Sequence, residues 1–320
     1  MAILSADRRK ITLINKAGQY DQDIFNEHRW HARTALILRR NFQSYYFVHP
    51  PIWKVVLRSI LQKKRMLPSF ASLGAVRSGT SLLSDYIMQH PCVVLPLAKE
   101  VGMNHLPVHK LIQAQFPTLQ QGEKTKNKFG TAITGYCTPI MPYLAFPYLV
   151  SQLSNNIKFI IIMRDPVDRT FAHWRWDQTL LSNAKKDYLW QRYPDFNETV
   201  RLEIESIKYD GSGMTPMSGP GGGYIHTSIY LPFLINLQRQ YGRESIFIVN
   251  ANDFFQDPAA VARQLYSFLN LPDYKPVEMP VKNAGPALEM DSSTRKTLQE
   301  FFKPHNEKLY EFLGKDMKWQ

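Results

Sequence analysis

Apolar positions along the 320-residue chain fall into two alternating kinds of pattern. Short, mostly apolar runs of strand length occur at Phe70–Ala75, Ile157–Met163 and Ser245–Asn250. Cys92–Leu95 and Phe129–Gly135 are read as two further strands. Helical spacing of apolar residues separates them. It predicts helices from Gly79 and Thr80 to about Gln89, and over Leu144–Leu153, Pro166–Leu181, Glu198–Tyr209 and Pro258–Leu269. Two more are predicted at Ser292–Phe302 and Asn306–Leu313. Strands that alternate with helices predict an α/β fold, a central parallel sheet flanked by helices on both faces. No internal repeat is visible. Gly211–Gly223 reads as a long, functional loop of Gly, Ser, Met and Pro.

Residues 1–67 differ in character. They are basic and aromatic, with helical patterns near 23–40 and 52–64. A lipid-facing or nucleic-acid-facing arm is one reading. Trp30, Leu36, Ile37, Trp53, Val56 and Leu57 at helical spacing favour the other, a basic helical extension packed on a single domain at 68–320.

Composition narrows the class. Hydrophobic residues make up 44% and charged residues 21%, which excludes a disordered or collagen-like chain. Cys92 and Cys137 are the only cysteines, so a disulfide framework and a zinc cluster are excluded, and no metal is expected. No run reaches the length of a membrane span. Asp7, Arg8, Arg9 and Lys10 stand where a leader would be apolar, and the expected location is cytoplasmic. A net charge of +12 points to an acidic ligand.

The segment Leu73-Gly74-Ala75-Val76-Arg77-Ser78-Gly79-Thr80-Ser81 joins a strand to a helix. Its glycines allow a tight turn, and the helix that follows presents free N–H groups with the positive end of its dipole behind them. Ser78, Thr80 and Ser81 add hydroxyls and Arg77 adds charge. It is not a Walker A loop, since Thr80 stands where that motif needs lysine, which counts against a kinase. A strand–helix turn without a ligand is the plainer alternative.

A second anion site follows the strand at 157–163, in Arg164-Asp165-Pro166-Val167-Asp168-Arg169. Pro166 suits a first helical turn. Arg164 falls at the carboxyl end of a strand, where open α/β sheets bind ligands. Arg164 and Arg169 together can clamp a phosphate. A surface ion pair of Arg169 with Asp165 or Asp168 is the alternative.

Taken together, the two segments resemble the sulfotransferases that use 3′-phosphoadenosine 5′-phosphosulfate (PAPS), above all the bacterial and heparan-sulfate-type branch. Arg77–Thr80 is similar to that family's 5′-phosphosulfate loop, and Arg164–Arg169 to its 3′-phosphate motif. His90-Pro91, Lys99-Glu100, Thr138-Pro139 with Tyr143, Tyr230, Asp257-Pro258 and the stretch Pro304–Leu309 with Trp319 match further family elements in order. The resemblance implies Glu100 as general base, with a plain ion pair to Lys99 as the alternative; His105 is the second candidate base and His173, which also reads as a packed residue, the third. It implies that Arg77 and Lys99 steady the leaving group. It assigns PAPS, and its product 3′-phosphoadenosine 5′-phosphate (PAP), to Arg77, Ser78, Gly79, Thr80, Ser81, Arg164 and Arg169, with Lys282 and Asn283 in a covering loop. Trp174, Trp176, Tyr224 and Tyr230 are candidates to line the acceptor cleft, with packing in the core as the plainer alternative.

The chain departs from the family pattern at Ala172, where the 3′-phosphate serine is expected. It departs also at Tyr136, Cys137 and Asn252, and at Met103, Asn104 and His105. The implied reaction is in-line transfer of a sulfonate to a hydroxyl or amine of a small polar metabolite or natural product. A carbohydrate acceptor is the alternative, and a degenerate, non-catalytic nucleotide binder is the alternative of another class. No nucleic acid partner is expected. The oligomeric state is left open.

Overall fold

A computed structural model describes residues 52–61, 63–101, 109–139, 156–183, 195–210, 223–279 and 288–319. The predicted helices near 23–40 and at Leu144–Leu153, and the loop at 211–222, lie outside the described residues, as do His105, Tyr143, Lys282 and Asn283.

Four parallel strands form the sheet: β1 Phe70–Leu73, β2 Gly135–Thr138, β3 Lys158–Met163 and β4 Ile246–Asn250, in the order β2-β1-β3-β4. Ser72 is level with Cys137 on one side and Ile160 on the other, and Ile161 with Ile248. The order reverses direction between β1 and β3. Ligands of open parallel sheets bind at such a switch point, outside the carboxyl ends of the strands.

Alternation along the strands divides the core in two. Phe70, Cys137, Ile160, Ile162 and Val249 face helices α2 (Thr80–Met88), α8 (Ala251–Gln256) and α9 (Pro258–Phe268). Ala71, Leu73, Tyr136, Phe159, Ile161, Met163 and Ile246 face α7 (Leu231–Tyr241) and the end of α10 (Ser292–Leu313). Ile112 of α3 (His109–Gln113) and Phe116 join that second layer. The sheet is thus covered on both faces, as the alternation predicts. A third cluster joins α5 (Pro166–Asn183), α6 (Phe196–Asp210) and α10 through Val167, Phe171, Val200 and Phe302. At the near end of the described chain, α1 (Ile52–Ile60) lodges Val55 against Leu97 and Ala114. Its Arg58 donates to the carbonyls of Ala114 and Phe116, both at 2.7 Å.

Three predicted elements are corrected. Residues through Phe129 are helical, in α4 (Leu119–Phe129), and the strand comes later, at Gly135–Thr138. Thr118 and Gln121 close a capping box that starts α4. Cys92–Leu95 adds no strand to the sheet, because Val93 makes only an isolated bridge with Ile133. The two tail helices are one. Pro304 lies inside α10, where it removes a hydrogen bond, yet buried Leu298 and Phe302 before it and Leu309 after it hold the helix on the domain.

Candidate active site

The turn after β1 is held to the sheet on both sides. Gly74 N–H donates to Thr138 at 2.9 Å and Ala75 N–H to Ile162 at 2.7 Å. Arg77 and Gly79 then take positive φ, 66° and 95°. At Gly79 the chain enters α2 from a left-handed conformation that suits glycine alone. The first amides of α2 have no acceptor within the helix and face the switch point. Ser78 is fully buried, and its hydroxyl has no hydrogen-bond partner among the described residues.

Lys99 and Glu100 meet this loop. Leu97 N–H bonds to Gln115 and Cys137 N–H to the Lys99 carbonyl, so α3 and β2 fix the segment that carries both. Lys99 is buried. Its Nζ donates to Ser81 Oγ at 3.1 Å and lies 3.7 Å from Glu100 Oε1. Burial pushes the Glu100 carboxyl above the usual carboxylate range, against the opposing pull of Lys99.

From the end of β3, Arg164 Nη1 donates to the Arg77 carbonyl at 3.3 Å and its Nη2 lies 4.0 Å from Asp168. Tyr230 holds the Arg164 carbonyl through its hydroxyl at 2.8 Å. Asp165 caps α5 by accepting from Val167 N–H at 2.7 Å. Arg164 and Arg175 both lower the proton affinity of Arg77, after the larger effect of burial. The three arginines form one cationic mouth. Arg77 also lies over the Trp176 ring, 4.4 Å from its centre.

An open cavity of about 410 Å³ adjoins Arg164. Asp168, Arg175, Met290 and Arg295 contribute to its wall, and Arg295 bonds Asp168 at 3.0 Å. Arg175 and Arg295 escaped the sequence reading, which named Asp168 only as a partner for Arg169. The available signal was spacing, since 164, 168, 171 and 175 share one face where α5 begins.

Several predicted site residues are placed differently from expectation. Arg169 does not clamp a ligand from the surface and pairs with neither Asp165 nor Asp168. It is wholly buried beneath the loop. Its Nε donates to Ser228 Oγ at 2.6 Å and its Nη2 to Thr227 Oγ1 at 2.9 Å. Further bonds go to the carbonyls of Val76 and Tyr224. Tyr224 and Tyr230 are buried side chains that bond inward rather than line a cleft. Tyr224 gives its hydroxyl to Asp177 at 3.0 Å, and Glu203 accepts the N–H groups of Tyr224 and Ile225 at 2.7 and 2.6 Å. Trp174 packs between Phe171 and Phe196. His173 sits edge-on to Tyr224, and burial with nearby Arg169 and Arg77 holds its imidazole well below the usual range. Thr80, Ser81, Gly79 and Ser78 stand in the loop as expected, with Lys99 and Glu100 beside it.

The family model of the sulfotransferase domain matches residues 73–284, a span that contains both the turn after β1 and the turn after β3. The chain belongs to the sulfotransferase family, whose enzymes draw their sulfonate from PAPS. It is 23% identical to the membrane-associated sulfotransferase kil1 of Dictyostelium discoideum, over 79% of this chain and 67% of that protein. It is 20% identical to human heparan sulfate glucosamine 3-O-sulfotransferase 5, over 83% of this chain and 77% of that protein. Among solved structures, a sulfotransferase from Alicyclobacillus acidocaldarius superimposes with a TM-score of 0.54 at 22% identity, covering 78% of this chain and 96% of that one. That likeness shows the fold.

Proposed function

We propose that this enzyme transfers a sulfonate from PAPS to a hydroxyl of a carbohydrate acceptor, with Glu100 as general base. The observation that carries the reading is the adjacency of Glu100, Lys99 and Ser81. A buried carboxyl stands next to a lysine that already bonds the phosphate loop. The unpartnered buried hydroxyl of Ser78 and the left-handed Gly79 fit a ligand rich in phosphate oxygens.

PAPS supplies the sulfonate and a phosphate leaving group. Arg77 and the first amides of α2 hold the 5′ anionic end. Arg164 holds the 3′-phosphate, kept in place by Tyr230 at its carbonyl and by Asp168 at its guanidinium. Lys99 neutralises charge that develops on the leaving oxygen. Glu100 accepts the hydroxyl proton. Its raised proton affinity suits that task better than an ordinary surface carboxylate would. Ala172 removes one hydroxyl donor from the 3′-phosphate side, so Arg164 carries more of that contact.

The sequence alone favoured a small metabolite as acceptor. The named substrate of several relatives is heparan sulfate, and that shifts the proposal to carbohydrate. The test is a transfer assay with labelled PAPS. Sulfation of heparan-type oligosaccharides, with none of simple phenols or amines, is the expected result. The reverse preference overturns the acceptor, and failure to bind PAP in calorimetry overturns the site.

A further inference from the structure

The exposed face of α1 has no place in the proposed chemistry. Trp53, Val56, Leu57, Ile60 and Leu61 are all exposed, Trp53 and Ile60 by 68% and 66%. Their spacing of i, i+3, i+4, i+7 and i+8 puts them on one stripe of the helix. Val55 is wholly buried on the opposite side, against Leu97 and Ala114. The helix is therefore docked by its minor apolar face, and its major one is exposed among the described residues. Leu67, just beyond it, is exposed as well.

Charge surrounds the stripe. Lys54 borders it on the helix, and Lys63 and Lys64 follow directly; all three are exposed. From His28 to Ser84 the chain has ten Lys or Arg and no Asp or Glu. A tryptophan and branched aliphatics ringed by lysines match the interface of an anionic lipid bilayer, where apolar side chains enter the acyl boundary and lysines meet headgroups. A nucleic acid would use the lysines and leave the aliphatic stripe uncovered. A second copy of the chain would bring the same lysines against one another.

We propose that α1 is a membrane-docking surface that seats the enzyme on an anionic bilayer without spanning it. Val55 meets Leu97, which leads directly to Lys99 and Glu100, so a docked α1 sets the position of the base segment relative to the bilayer.

The experiment is flotation of the full chain with vesicles of phosphatidylcholine alone or with phosphatidylserine added. Capture is expected on the mixed vesicles, little on phosphatidylcholine alone, and less in high salt. Leu57→Ser with Ile60→Ser should abolish capture. Lys54→Gln with Lys63→Gln and Lys64→Gln should lower the partition by about 100-fold, at roughly fivefold per lysine. Circular dichroism and the thermal midpoint check that each variant is folded. No capture of folded wild-type chain overturns the proposal. So does capture indifferent to Leu57 and Ile60, which is the result a nucleic-acid-type polybasic surface gives. A dimer in sedimentation velocity that the serine variants dissociate, without vesicle capture, assigns the face to a second copy instead.

Discussion

Arg164 and Arg169 lie five residues apart and should fail in opposite ways. Arg169→Ala removes a buried guanidinium that bonds Ser228, Thr227, Val76 and Tyr224. Each buried acceptor left without its donor costs about 1–3 kcal/mol, so the loss across these four should reach about 3–5 kcal/mol. That is a large share of the ~5–15 kcal/mol typical of a whole domain. At roughly 2–4 °C per kcal/mol for a chain of this size class, the thermal midpoint should fall by about 6–20 °C. Arg164→Ala removes a half-exposed side chain whose ion pair with Asp168 spans 4.0 Å. Its effect on stability should stay below about 1 kcal/mol. Nucleotide binding should show the reverse order. Calorimetric titration of PAP, at a temperature where both variants are folded, should find binding lost in Arg164→Ala and largely kept in Arg169→Ala. Loss of PAP affinity in Arg169→Ala at unchanged midpoint would refute the reasoning. It would mean that this guanidinium leaves its buried acceptors to reach the ligand.

Glu100→Gln should lower turnover by about 10²–10⁴-fold while PAP affinity stays unchanged, measured by transfer assay and calorimetry in parallel. Equal loss of both would make the residue structural. In the wild type, because burial raises the Glu100 pKa, activity should decline with acid from a higher pH than an ordinary glutamate gives. Glu203 provides a pH dependence of stability. Burial pushes its carboxyl up to about 7, from 4.5 in the unfolded chain. Folding therefore favours its protonated form. The contribution is full below pH 4.5 and is lost as pH rises through 7, by up to about 3 kcal/mol. Urea midpoints at pH 5 and pH 7.5 should differ less in Glu203→Gln than in the wild type, and equal differences would exclude the residue as the source. Gly79→Ala forces a methyl group into a left-handed position and within 2.8 Å of the Phe255 ring. It should cost about 1–2 kcal/mol by denaturant unfolding and weaken PAP binding. Trimming Phe255 as well should not restore either, since the ring can move but the backbone angle cannot.

The strands and helices that build the switch point were legible in the sequence, because each has a marked boundary or a plain apolar run. β1, α2, α5 and α9 each begin or end at or beside a Gly or Pro, and β3 and β4 are marked by their apolar runs. The failures share a physical cause. α4 carries hardly any apolar residue and buries only Gly122, so periodicity had nothing to register. Its signal was the capping pair Thr118 and Gln121. α7 was passed over although Leu231, Leu234 and Leu237 recur every third residue. β2 is buried throughout like β1, but its residues Gly135, Tyr136, Cys137 and Thr138 make no apolar run to read. At the site, motif order picked out three segments that the structure brings together, the loop, Lys99 with Glu100, and Arg164. It misjudged Arg169, Tyr224 and Tyr230, because sequence gives the kind of side chain but not its depth. Arg169 is the extreme case, a charged residue buried completely by partners that follow some 55 residues later.

The order of strands has a consequence for what the enzyme can measure. β1 and β3 are neighbours, so the chain leaves the sheet twice across one inter-strand gap, about 4.8 Å wide. Arg77 follows one exit and Arg164 the other, and a hydrogen bond between them spans 3.3 Å. On the proposed function, the two turns form a gauge whose base is the hydrogen-bonded sheet itself, and a donor nucleotide would be matched by the separation of its two charged ends. Sequence change in the outer segments can redraw the acceptor side without altering that gauge. A family built in this way can diversify what it modifies while keeping one donor.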